Sequence, residues 1–94
     1  MPSLEIKFTS RFLRAAKKLA KVDRSKVQAA IDANAKAWGN PHAHAGAGIR
    51  RLRGDAFECR CGLKLRLIFF AQPGSLVFHD LGDHEEIQGF LKSL

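Results

Sequence analysis

No hydrophobic run in this 94-residue chain approaches the length of a membrane span, since the most apolar stretch, residues 63–71, is interrupted by Lys64 and Arg66. Residues 1–8 also lack the basic-then-apolar layout of a secretion signal, so a cytoplasmic location without membrane attachment is expected. Cysteine is scarce. Cys59 and Cys61 are the only two; set two apart on one predicted strand, they are expected to point to opposite faces and to stay unbonded, and nothing suggests an oxidising compartment. Repeats, low-complexity tracts and linkers are absent, and with this length that argues for one domain with a single core over residues 1–94. Metal-ligand spacing is lacking too. His42 and His44 invite a metal reading beside Cys59, Cys61, His79 and His84, but no set matches a known zinc pattern; surface-loop histidines are the expectation, with no metal and no cofactor. Acidic residues are few, 9 Asp plus Glu against 16 Lys plus Arg, a net charge of +7. Such an excess points to a polyanionic partner, either an acidic protein or a nucleic acid, without choosing between them.

What is present is organised around residues 52–80. Three extended runs, Ala56–Cys61, Leu63–Ala71 and Leu76–Leu81, are separated by turn signals at Gly62 and Gln72-Pro73-Gly74, which predicts a three-stranded antiparallel meander. In the middle run Leu63, Leu65, Leu67 and Phe69 alternate with Lys64, Arg66, Ile68 and Phe70. A three-residue loop, Cys61–Leu63, preferred to the two-residue loop that Gly62 would also fit, sets Arg60 opposite Lys64 and Glu58 opposite Arg66. Phe57 and Cys59 then share a side with Leu65 and Leu67, so both strands agree on the core face. The other face collects Glu58, Arg60, Lys64 and Arg66. A cationic sheet surface holding one carboxylate is where function is expected.

Ahead of the meander, Leu4–Phe8 alternates as a strand does, and Thr9 and Ser10 offer a helix N-cap. The spacing predicts a helix over Arg11–Lys21 with Phe12, Ala16 and Leu19 as its apolar stripe and Arg11, Arg14, Lys17, Lys18 and Lys21 around it. Val22-Asp23 reads as the break, with Asp23 capping a second amphipathic helix over Arg24–Trp38. Its stripe is Val27, Ala30, Ile31 and Trp38, with Asn34 intruding, and so short a link makes the pair an antiparallel hairpin. Gly39-Asn40-Pro41 ends it, residues 42–48 form a Gly/Ala-rich loop, and Ile49–Arg53 leads back to the sheet with three more cations, Arg50, Arg51 and Arg53. A final helix is expected over Asp83–Leu94, opened by a capping-box-like pair of Asp83 and Glu86, with Ile87, Phe90, Leu91 and Leu94 as its stripe. The order is strand, helix, helix, three strands, helix, an α+β arrangement.

That order, with Leu52-Arg53-Gly54, Arg66-Leu67-Ile68-Phe69 and Gly82-Asp83-His84, resembles the RelE/ParE superfamily of toxins from type II toxin–antitoxin systems over nearly the whole chain. The resemblance implies a basic helical hairpin packed on a small antiparallel sheet, with a short C-terminal helix. It also implies one of two activities on one scaffold. RelE-like members cut mRNA, mostly in the ribosomal A site, without a metal; ParE-like members inhibit DNA gyrase. A third reading is a domain of this shape that has lost toxicity and only binds a partner or nucleic acid. The implied partners are ribosome-bound mRNA and a cognate antitoxin whose tail wraps the toxin.

Cleavage of RNA by its own 2′-hydroxyl needs a base for that hydroxyl, cations for the crowded phosphate, and an acid for the departing 5′-oxygen. Arg66 matches the family's middle-strand arginine and is the first candidate for the phosphate, with Arg60 second. His84 stands where RNA-cutting relatives carry His or Arg, and an imidazole can give or take a proton at cellular pH; packing against Ile87 and Leu91 is its other reading. Glu58 is either a general base or a cross-strand partner of Arg66. Lys64, Arg51, Arg53 and His79 are expected on the RNA-binding surface, and Asp80, on the side of Leu76 and Phe78, as a strand-end hydrogen-bond acceptor. The chain departs from the family in having no tyrosine. Ile87 or Phe90 stands near the place where RNA-cutting members often carry one.

Overall fold

The alternating second half of the chain builds the sheet, and the two amphipathic segments ahead of it cover one side. In the computed structural model, which describes residues 4–40 and 46–92, the elements are β1 (Glu5–Phe8), α1 (Ser10–Lys17), α2 (Lys21–Ala37), β2 (Ile49–Arg53), β3 (Ala56–Cys61), β4 (Leu65–Gln72), β5 (Ser75–Gly82) and α3 (His84–Lys92). His42 and His44 lie outside the described residues. The strands form one mixed sheet in the order β1-β5-β4-β3-β2, with β1 parallel to β5 and the other pairs antiparallel. The expected α+β architecture is observed, and the meander is extended by a strand on each side. As a strand, β2 evades the alternation rule. Its two apolar residues face opposite sides, Ile49 under the hairpin and Leu52 toward α3, and a register shift follows between Arg51 and Arg53, so no one-faced period is visible.

Thr9 caps α1 as expected: its Oγ1 accepts from the Phe12 amide at 3.1 Å and donates to the His79 carbonyl at 2.8 Å. One side chain thereby starts the helix and fastens it to β5. The break between the helices falls earlier than the sequence suggests, because Leu19 turns into the core and α2 already begins at Lys21. Asp23 is therefore not the cap; it sits in the first turn of α2, where the helix dipole favours a carboxylate.

Between the hairpin and the sheet, Phe12, Val27 and Ile31 pack on Leu67, Phe69, Leu76 and Phe78. Phe69 is the centre of that layer, with ring centroids of Trp38, Phe57 and Phe78 at 5.6, 5.6 and 5.2 Å. On the other face a smaller core forms where Ile87 and Phe90 of α3 cover Ile68, flanked by Leu52, Phe70 and Leu91. Period two then decides the location of the site: Glu58, Arg60 and Arg66 share the face of Ile68 and so emerge beside the start of α3.

Both cysteines are unbonded, but they do not point to opposite faces. Residues two apart on a strand share a side, and Cys59 and Cys61 both enter the core under the hairpin. Burial, reinforced by Cys61 and Glu58, pushes the Cys59 thiol up to about 12, and burial also raises Cys61. A buried, protonated thiol is a poor nucleophile. At about pH 8 the native chain should consume a thiol reagent far more slowly than the unfolded chain does. Between 9.0 and about 12 the folded state keeps a Cys59 proton that the unfolded state loses, so stability should fall as pH rises through that window. Denaturant titrations at two pH values flanking 9.0 measure that fall.

Candidate active site

The register of β3 against β4 differs from the expectation in one instructive way. Cys61 pairs with Leu65, Arg60 with Arg66 and Glu58 with Ile68. The connecting loop does have three residues, but they are Gly62, Leu63 and Lys64, with Gly62 taking the left-handed conformation at φ 69°. Moving the loop by one residue changes every pairing by two, which preserves the faces and exchanges the partners. Glu58 thus faces Ile68 and not Arg66. Lys64 leaves the sheet for the turn, where it borders a separate cleft with Asp23, Lys26 and Cys61.

The four candidates for chemistry do converge. Glu58, Arg60, Arg66 and His84 line one cleft of about 370 Å³, together with Arg50 and the backbone of Gly48 and Ile49. Each is delivered by a strand pair or a helix end. Arg50 stands opposite Glu58, Arg60 opposite Arg66, and Arg66 opposite Gly82, after which the chain turns into α3. The capping box is formed as expected: Asp83 Oδ1 accepts from the Glu86 amide at 2.9 Å, and Glu86 Oε1 accepts from the Asp83 amide at 3.2 Å. Gly82 lets this turn lie flat on the strand. A Cβ there would come within 2.9 Å of the Glu86 Cβ, so a side chain at 82 would push α3, and His84 with it, off the sheet.

Within the cleft the charges are unevenly matched. Glu58, with 10% of its side chain exposed, accepts from Arg50, Nη2 to Oε1 at 2.8 Å. Its cross-strand partner is therefore Arg50, not Arg66. Arg60 and Arg66 face each other directly across the strands, an arrangement of like charges that costs stability unless an anion lies between them. Arg66 Nη1 is moreover buried without a hydrogen-bond partner, a condition rare enough in folded proteins to require a reason. His84 is exposed at the cleft, while Ile87 fills the core beneath, so its imidazole is not a packing group.

Four residues expected on the binding surface do not line this cleft. Besides Lys64, Arg51 pairs with Phe57, and its Nε donates to the Gly54 carbonyl at 2.7 Å. Arg53 is exposed at the end of β2. His79 is held under α3 between the rings of Phe70 and Phe90, at 5.4 and 5.3 Å. A bulge at this point of β5 brings Asp80 opposite Ile68, away from the Phe78 side, where its carboxylate accepts from the Leu81 amide at 2.8 Å and Arg11 Nε at 3.0 Å. It is a hydrogen-bond acceptor as expected, on the other face. Arg50 is the residue sequence reasoning missed. The available signal was its place among three cations, but choosing among them required the β2 register. Among the described residues no group of three His, Cys, Asp or Glu could hold a metal ion, and no helix is long and apolar enough to cross a membrane.

A helical hairpin on one face of a five-stranded mixed sheet, a short helix on the other, and a cleft of arginines at that helix's start make up a small α+β domain with a cationic cleft. The fold is that of the RelE-type toxins. The archaeal RelE–RelB complex from Pyrococcus horikoshii OT3 is similar at a TM-score of 0.70 and 16% identity, over 86% of this chain and 94% of that one. The E. coli DinJ–YafQ toxin–antitoxin complex gives 0.70 and 15%, over 90% and 97%, and the intact E. coli RelBE toxin–antitoxin complex 0.63 and 15%, over 86% and 96%. No family model matches the chain, and no curated protein matches it in sequence.

Proposed function

We propose that this chain is the toxin of a type II toxin–antitoxin pair, a metal-independent mRNA endonuclease that acts on ribosome-bound message and so inhibits translation. The observation that carries the reading is the convergence of Arg60, Arg66, Glu58 and His84 in one cleft, with a buried Arg66 nitrogen left unpartnered. Those side chains meet the three needs of cleavage by a neighbouring 2′-hydroxyl. Arg66 and Arg60 take the non-bridging oxygens of the phosphate and hold the charge that builds as the fifth bond forms. Glu58, a carboxylate among cations, removes the 2′-hydroxyl proton, and His84, exposed at the helix start, gives a proton to the departing 5′-oxygen. The products are a 2′,3′-cyclic phosphate and a 5′-hydroxyl, and no atom or electron is left over.

The antitoxin is the second partner. A chain of net charge +7, with Arg14, Lys17 and Lys18 exposed on α1, suits an acidic amphipathic segment that gains charge pairing as it covers the cations. Inducing the chain in cells tests both parts. Messages should be cut within minutes while plasmid supercoiling stays normal, and the product of an adjacent short reading frame should co-purify with the chain and restore growth. Intact message with relaxed or broken plasmid would move the target to DNA gyrase. A harmless chain with no bound neighbour would leave a non-toxic binding domain.

A further inference from the structure

Three guanidinium groups line the cleft and one carboxylate stands among them, yet the carboxylate is taken by the arginine on the edge strand. Arg50 and Glu58 are direct cross-strand neighbours on β2 and β3, joined at 2.8 Å. Glu58 also shares a face with Arg60, two residues along β3, and lies diagonal to Arg66, which is opposite Arg60. Long side chains reach across such diagonals, so Arg60 and Arg66 are the partners Glu58 would take in the absence of Arg50. We infer that Arg50 is a positioning residue: it draws the Glu58 carboxylate to the β2 side of the cleft, which leaves Arg66 and Arg60 open to the phosphate of a single-stranded nucleic acid.

The assignment follows from competition for one acceptor. A buried carboxylate does not remain unpaired beside three cations. Bound to Arg66, it would fill the site with an internal anion and exclude the phosphate by occupancy and by like-charge repulsion. Bound to Arg50, it faces the cleft from one wall, and Arg66 Nη1 keeps the unpartnered state seen here. Arg50 can perform this task because it is two-thirds exposed on an edge strand, with 66% of its side chain accessible against 10% for Glu58, so its own position is not fixed by packing. The inference rests on the reading of Arg66 and Arg60 as phosphate ligands and adds to it what keeps them free.

The test is a double-mutant cycle read by binding, with a short single-stranded oligonucleotide built of 2′-deoxyriboses, which lacks the attacking hydroxyl and cannot be cut. Affinities are measured for the full chain and for Arg50→Ala, Glu58→Gln and the double variant, with thermal melts as the folding check. Arg50→Ala should weaken binding by about tenfold, Glu58→Gln should bind at least as well as the unaltered chain, and Arg50→Ala should cost little once Glu58 is Gln. Arg50→Lys, which keeps a cation opposite Glu58, should recover most of the affinity. The double variant removes both charges, so it remains informative even if Arg50→Ala alone folds poorly. An equal loss from Arg50→Ala in both backgrounds would make Arg50 a direct phosphate contact and overturn the inference, as would no loss at all. Failure of the unaltered chain to bind the oligonucleotide would instead sink the phosphate-site reading itself.

Discussion

Arg66→Ala should lower RNA cleavage by roughly 10²–10³-fold, the loss of about 2.7 to 4 kcal/mol observed when a single charge-stabilising donor is removed from a developing oxyanion. The effect should fall on the chemical step more than on binding, because Arg60 remains to hold the ground-state phosphate. The fold should survive, as urea titration will show: the variant removes one of two like charges facing each other and a buried nitrogen without a partner, so the midpoint should not move downward by much. In cells, growth arrest on induction should disappear. Undiminished arrest from a folded Arg66→Ala chain would remove Arg66 from the site.

His84→Gln should reduce cleavage by roughly 10²–10⁴-fold, the usual range for a positioned acid or base. Glutamine keeps the size and hydrogen-bonding capacity of the side chain and cannot serve as a general acid. Binding to an uncleavable RNA should be nearly unchanged. Stability should move by no more than about 0.5 kcal/mol, since His84 is exposed and the start of α3 is secured by Asp83 and Glu86 instead. Single-turnover cleavage, with the two variants measured side by side, separates the roles: the Arg66 variant lacks a charge and the His84 variant lacks a proton. A His84→Gln chain that cleaves as fast as the unaltered one would pass the acid's role to another group.

Much of the arrangement is legible in the residues because the informative signals are local. The alternation of residues 63–70 fixes which side of β4 is core, and a misplaced loop leaves that result intact because it shifts the pairing by an even number. Thr9 and the Asp83/Glu86 pair announce helix starts by chemistry that depends on three or four residues. The partners of charged groups are less legible. Whether Glu58 meets Arg66 or Arg50 depends on the turn at Gly62 and on an edge strand whose own period is broken by a bulge. The same physics explains Asp80. One extra residue in β5 reverses the side on which the following residue emerges, and only the sheet reveals where that residue is inserted. Arg51 and Arg50 are adjacent cations in the sequence, but one binds the carbonyl of its own turn and the other reaches into the cleft.

The most direct test of the central claim is the chemistry of the cut ends. Purified chain, freed of any bound antitoxin, is incubated with ribosome-bound message in one series and with a defined short RNA in EDTA in the other, and the fragments are analysed by mass spectrometry. Attack by the neighbouring 2′-hydroxyl requires a 2′,3′-cyclic phosphate on the upstream fragment and a 5′-hydroxyl on the downstream one, with cleavage that persists in the chelator. Fragments ending in 3′-hydroxyl and 5′-phosphate, or cleavage abolished by EDTA and restored by a divalent cation, would contradict the roles given to Arg66, Arg60, Glu58 and His84.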